Sequence, residues 1–430
     1  MKANRVQADF RFSKRSILRF LNGLSIGLGN PSRLTIAAGM ILFGCQSSVN
    51  AQLTILHSFG DRTVANDGAH PRAGLVQAPN GNFFGSTLNQ ATAPSTFVGT
   101  IFKMSRVGVL QIIQSFDPTS GLYTTQPLLY HDGTVIGVTP SGPALTGQAG
   151  TVFSLRTSAT GTWKLSFWHN FTGGAPDYDS LPAGNVILGS DGHFYGTTEG
   201  GGGSPTLAFD GAVYKLAPKT HAFTNVYGFS ISGNFQPHAA LVQGTDGNFY
   251  GSTYYTPGNS SPTQFGAFFK LTPAGQITFY PQTLKLAVEG PLIQASDGNF
   301  YGMSGEGLFG ISSTPSVFSM TPSGVVTILH TFGQGSDGTF PWGTVVQGPN
   351  GNLYGTTSLG GTAGQGVLFE ISTDGTSYTI LHNFGDGSVA NDGNSPTGTL
   401  IVGHDKNLYG TTQSGGSAGL GTVFKFSLTR

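Results

Sequence analysis

Ten histidines stand in this chain of 430 residues, and an imidazole can serve as acid, base or metal ligand near neutral pH. Four of them, His57, His169, His330 and His382, each sit two residues before a phenylalanine in the same recurring segment. A catalytic group is not needed four times, so the recurrence points to a structural side chain hydrogen-bonded between repeats. Carboxylates offer a second chemistry. Asp177, Asp179, Glu199 and Glu306 fall in the longer connecting segments, where a pair of acids could cleave a glycosidic bond. Tyr178, Tyr254, Tyr255 and Trp342 fall in comparable segments and offer ring faces to a sugar. Ordinary solvated loops carry single aromatics and acids too, and that simpler reading stands beside the glycan one.

Two loops match each other: FGDRTVANDGAHP from Phe59 and FGDGSVANDGNSP from Phe384. Their Asp61, Asn66, Asp67 and Asp386, Asn391, Asp392 are hard oxygen donors of the kind calcium takes. The spacing is not that of an EF-hand, and Asp and Asn side chains that bond their own turn explain the pattern more simply. Asp132, Asp191, Asp246, Asp297 and Asp405 are likewise turn residues rather than catalytic ones. The sequence holds no His-Glu-x-x-His zinc motif, no phosphate loop and no Gly-x-Ser-x-Gly elbow, so it calls for no cofactor.

The elements that must position these residues are repeats. A glycine following an aromatic or apolar residue recurs at Gly85, Gly137, Gly196, Gly251, Gly302, Gly355 and Gly410, in contexts such as DGNFYGST from Asp246 and NGNLYGTT from Asn350. The second copy, DGTVIGVT from Asp132, is the most degraded. Each glycine is followed by a strand such as GTIFKM from Gly99 or GTVFKF from Gly421, and many copies go on to a strand like LTILHSF from Leu53. A short apolar strand precedes each turn, as in GLVQ from Gly74 and ALVQ from Ala240. An Asn-Gly or Asp-Gly pair between two strands is a tight hairpin turn.

Four strands taken seven times predict an all-β fold, a seven-bladed β-propeller of four-stranded antiparallel blades. The recurring glycine predicts a bulge or a close approach between blades. The segment from Leu53 reads as a fourth strand without its first three, and the chain stops just after a third strand. Pairing the amino-terminal strand with the carboxy-terminal three would close the ring and remove exposed edges. In such a ring the tight turns share one face, while the longer second-to-third and blade-to-blade connections share the other, where function concentrates.

Residues 1–51 are a different object. Lys2, Arg5, Arg11, Lys14, Arg15, Arg19 and Arg33 precede an uncharged apolar run from Leu34 to Gly44, too short for a membrane span and suited to a signal-peptide core. Two exits stand: cleavage after Ala51, or lipid attachment at Cys45. Phe43 is bulkier than lipidation signals usually tolerate, which favours free secretion. The expected domains are therefore a signal peptide over 1–51 and one propeller over 52–430. Beyond the leader thirteen basic residues face nineteen acidic ones, a net charge of −6, and the basic residues are scattered. That argues against a nucleic-acid partner. Cys45 is the only cysteine, so a cleaved chain has no disulfide and no thiol chemistry. A monomer without a transmembrane span is expected.

The cassette DGNFYGST, SLGG from Ser358, GTVFKF, TPSG from Thr321 and LTILHSF resembles the GloVer repeat found in tandem in exported bacterial proteins, over nearly all of residues 52–430. The resemblance implies a surface protein with one of several alternative anchors, of which Cys45 would be the one here. It supplies no catalytic residues. The functional expectation is a secreted or cell-surface binding module for a polysaccharide or envelope component. A glycan hydrolase or lyase and a purely structural surface protein remain the competing readings.

Overall fold

The structure is a computed structural model, and it describes residues 53–428 apart from 91–97, 117–123, 125, 141–148, 173–179, 202–210, 230–234, 238, 256–266, 282–283, 285, 289, 306–312 and 334–335. It forms seven antiparallel sheets, arranged as the blades of a propeller. We number them in chain order from the first complete one, so that blade II runs over Leu129–Asn170, blade III over Ser180–Gly228, blade IV over Phe235–Pro281, blade V over Ile293–Thr331 and blade VI over Thr339–Asn383. Blade I comprises Val76–Gln77, Phe83–Thr87, Thr100–Met104 and Leu110–Ser115. Blade VII joins Ile401–Val402, Leu408–Thr412 and Thr422–Phe426 to Leu53–Ser58, with Leu53 opposite Phe426 and Ser58 opposite Thr422. The ring is closed by hydrogen bonds between the two ends of the described chain, as the orphan strand predicts.

The repeated glycine has a different cause from the one its sequence context suggests. Gly251 pairs with Phe269 on the third strand, and a Cβ there would come within 2.5 Å of that ring. Gly85 meets Phe102, Gly137 Phe153, Gly196 Tyr214, Gly302 Phe318, Gly355 Phe369 and Gly410 Phe424 in the same way. In each blade, then, the glycine is where the third-strand aromatic lies flat across the second strand. The bulges fall elsewhere, between the third and fourth strands, for example at Val213/Tyr214 and Leu368/Phe369.

Blades are joined by two recurring contacts. Tyr195 packs on Phe249 of the next blade with ring centroids 4.2 Å apart, Tyr250 on Phe300 at 4.1 Å and Tyr409 on Phe83 at 4.4 Å. These rings are almost wholly buried and supply apolar area at every blade boundary they occupy. The second contact is polar. The amide oxygen of Gln243 accepts from the backbone N–H of Ser190 in the preceding blade at 2.7 Å, while its nitrogen donates to the Gly247 carbonyl of its own turn. Gln77, Gln294 and Gln347 repeat this with His404, Thr245 and Ser296.

The first strand is interrupted rather than continuous. In blade III, Ser180–Pro182 and Ile187–Leu188 both pair with Phe194–Gly200, and blades IV and VI are built alike. The gap is filled by small residues where blades converge: a Cβ on Gly184 would strike the Ala240 backbone at 2.3 Å, and one on Gly290 the Gly343 carbonyl at 2.3 Å. Glycine at these positions lets the blades approach this closely around the central channel, and Gly74 and Gly343 meet Thr399 in the same way.

Candidate functional site

The longer connections converge on the mouth of that channel. Arg72 and Gly74 of blade I, Gln126 of blade II, Glu199 of blade III, Pro291 of blade V, Trp342 of blade VI and Thr399 of blade VII line a cavity of about 250 Å³. Glu199 is the penultimate residue of the second strand Phe194–Gly200, where that strand leaves the sheet. Trp342 follows the short segment Thr339–Pro341, and 42% of its surface is exposed. The ring geometry thus brings together two residues far apart in sequence, one an acid and one a ring face. Arg72 and Thr397 join them without any signal in the sequence beyond their place just before a first strand. The Arg72 Nε and the Thr397 hydroxyl are buried and have no hydrogen-bond partner among the described residues.

Asp177, Tyr178, Asp179 and Glu306 lie outside the described residues. Tyr254 and Tyr255 end the second strand of blade IV, opposite Gln236 and Phe235, and their backbone alone is described.

The histidines are settled by their partners. His57 Nε2 lies 2.8 Å from Asp67 Oδ2, and the same carboxylate accepts from the backbone N–H of Gly60. His382 is paired with Asp392, which accepts from Gly385, and His330 with Asp337, which accepts from Gly333. The imidazole also stacks on the neighbouring blade, His330 on Tyr378 at 3.9 Å and His169 on Phe223 at 4.4 Å. Burial holds the His330 imidazole below its usual pKa, against the pull of Asp337. Each pair pins the start of a blade-to-blade loop.

The two matched loops therefore use Asp67 and Asp392 as buried hydrogen-bond acceptors. Asp61 and Asp386 instead close turns, accepting from the backbone N–H of Thr63 and Ser388 at 2.8 Å. Asn66 and Asn391 take left-handed backbone conformations, with φ of 51° and 57°. Ligand atoms of His57, Asp61 and Asp67 lie within 4.8 Å of one another, close enough to share an ion, but both Asp67 oxygens already accept hydrogen bonds.

The turn aspartates form caps on the opposite face. Asp246 accepts from Tyr250 OH at 2.8 Å, Lys270 Nζ at 2.9 Å and the Asn248 backbone at 3.1 Å. Burial alone would push its carboxyl up, but the hydrogen bonds from Lys270, Asn248 and Tyr250 outweigh it and hold the group well below the usual carboxylate range. Burial and the same carboxylate push the Tyr250 hydroxyl up to about 12. Asp405 with Tyr409 and Lys425 is a second full copy. Such caps are architecture, repeated as the blades are repeated.

Among solved structures the chain is similar to virginiamycin B lyase from Staphylococcus aureus, seen as a catalytically inactive variant with quinupristin. The identity is 14% and the TM-score 0.54, over 88% of this chain and 99% of that one. It is also similar to oligogalacturonate lyase from Vibrio parahaemolyticus, at 8% identity and a TM-score of 0.52, over 89% of this chain and 95% of that one. These likenesses are of fold. No curated protein matches the sequence. Among the described residues no helix is long and apolar enough to cross a membrane. The model of the Gloeobacter/Verrucomicrobia repeat matches residues 98–286 and 287–430, most of the chain, and the repeated glycine, aromatic and histidine contacts above are the physical content of that repeat. The chain belongs to the Gloeobacter/Verrucomicrobia repeat family.

Proposed function

We propose that the protein is an exported binding module that holds a polysaccharide or envelope component at the channel mouth. The observation that carries this reading is the convergence there of an exposed indole with buried polar atoms that have no partner in the described chain. Trp342 offers a ring face, Arg72 Nε a donor, and Thr397 Oγ1 a donor or acceptor, all lining one concavity. A buried polar group left unpaired costs about 1–3 kcal/mol. A hydroxyl-rich ligand offers both donors and acceptors and would satisfy both atoms while stacking on the ring. Export rests on the basic, then apolar, leader sequence.

Glycan-array binding of the purified protein, followed by titration calorimetry on any hit, tests the proposal. Trp342→Ala is expected to weaken binding at least tenfold, and Arg72→Ala likewise. Binding that survives both changes would refute the channel as the site. Glu199 carries the enzymatic alternative: turnover of a bound glycan that is lost in Glu199→Gln would convert the module into a hydrolase or lyase. Neither binding nor turnover across the array would leave the structural reading.

A further inference from the structure

The second copy of the repeat is the one whose sequence departs most, and the departure has a structural consequence on the face opposite the channel mouth. At the boundary of blades II and III both inter-blade contacts are missing. The position of the capping tyrosine holds Ile136, that of the lysine holds Ser154, and the glutamine that would reach back from blade III is Leu188. At the boundary of blades I and II the loss is refilled by aromatic rings, Tyr130 stacking on Phe84 at 5.4 Å with Trp163 against its edge at 5.8 Å. At the II–III boundary the refilling is partial: Trp168 and His131 of blade II pack against Phe194 of blade III. A cleft of about 610 Å³ opens there, between the turns of blade II and the third-to-fourth-strand turn of blade III.

The cleft is lined by a charge pattern found in no cap. Arg156, Lys164 and Lys219 border it, with Asp132 the one carboxylate among its described lining residues. Among the described residues none of the three cations takes part in an ion pair. Its wall is rigid. Trp168 is held between Phe194 at 4.9 Å and a parallel His221 ring at 4.1 Å. His221 and Asp132 both sit at positive φ, 54° and 45°, Asp132 as the first residue of the tight Asp-Gly turn. Beside them Phe167 turns an uncovered ring outward, 45% exposed.

We propose that this cleft is a second binding site, for an acidic oligosaccharide whose carboxylates meet Arg156, Lys164 and Lys219 while a sugar ring lies on Phe167. Three cations on a chain of net charge −6 beyond its leader do not attract a long nucleic acid, whose binding draws on many clustered cations. They do suit a short run of carboxylates, and the volume matches a few sugar units rather than a polymer groove. This site stands independently of the channel mouth.

The test is titration of the purified protein with an oligosaccharide of uronic acids, with the same chain methyl-esterified to remove its charges, and with inorganic phosphate. The acidic chain is expected to bind with an affinity that falls as salt rises, and the esterified chain to bind at least tenfold more weakly. Arg156→Glu and Lys219→Glu should each reduce affinity for the acidic chain about tenfold, the loss of one charge-assisted contact. These side chains are exposed, so the melting temperature should hold; Phe167→Ala provides an uncharged second variant. Trp342→Ala should leave this binding intact, which separates its failure from that of the channel. Equal binding of the esterified chain, indifference to charge reversal, or binding of phosphate without the oligosaccharide would overturn the proposal.

Discussion

His382 Nε2 and Asp392 Oδ2 lie 2.8 Å apart in a buried pair that also captures the Gly385 backbone amide. The imidazole comes from the last strand of one blade and the carboxylate from the loop that leads into the next. That loop is fixed where a longer connection would otherwise be free to move.

Removing the imidazole takes one donor from a buried carboxylate and leaves it only the backbone amide of Gly60 or Gly385. His382→Ala and His57→Ala should each destabilise the propeller by about 3 kcal/mol, measured by chemical denaturation. His330→Ala should cost less, because that pair is more exposed. Calcium should leave the melting temperature unchanged. A rise would show that Asp61 and Asp67 prefer a metal to their turn bonds.

At the repeated glycine the expected effect is steric. Gly251→Ala would press a methyl into the Phe269 ring, and Gly410→Ala into Phe424, each at 2.5 Å. Overpacking of this kind costs about 1–3 kcal/mol. Shrinking the facing ring in Gly251→Ala/Phe269→Leu should recover part of the loss, a coupling that a double-mutant cycle reads directly.

Acid should weaken the caps in a defined direction. The carboxyl of Asp246 ordinarily titrates at 3.8 and is held lower in the fold, as is that of Asp405. The unfolded chain therefore takes up the proton first. The stabilisation is fully present above the unfolded value and is lost as pH falls below it, through the folded value. Asp246→Asn and Asp405→Asn should flatten stability against pH below about 4, with little change in its slope near neutrality.

Closure of the ring predicts a whole-molecule effect from one strand. Thr54→Pro removes a strand-pairing donor opposite Lys425 and should lower the melting temperature of the entire propeller, not of one blade. Deleting residues 53–58 would bare the edge of Thr422–Phe426, and light scattering should then report association.

Much of the fold is legible in the sequence because each blade states it again. The Asn-Gly turns, the GTVFKF strands and the unpaired LTILHSF segment give blade number and closure without any distant contact being known. The cause of the glycine is not legible: sequence cannot say whether Gly251 faces a neighbouring blade or the Phe269 ring of its own. The bridging role of Gln77, Gln243, Gln294 and Gln347 is equally hidden, since three of them bond a turn about one full repeat away and Gln77 reaches His404 across the ring closure. The site is the least legible part. Glu199 and Trp342 meet only because the ring brings the inner ends of blades III and VI to one axis, and Arg72 and Thr397 carry no motif. The degraded second copy was visible as a departure, but what it opens depends on Trp168 and His221 arriving from two different blades.

The pairing of Leu53 with Phe426 also orders events in time. The seventh sheet draws on the beginning and the end of the described chain, so it cannot assemble until residues 408–426 have left the ribosome, however early Leu53–Ser58 emerged. Leu53–Ser58 must wait, unpaired, through the synthesis of six blades. A contact spanning so much sequence forms slowly, and its apolar face is a natural target for chaperones that keep a nascent polypeptide from sticking to its neighbours.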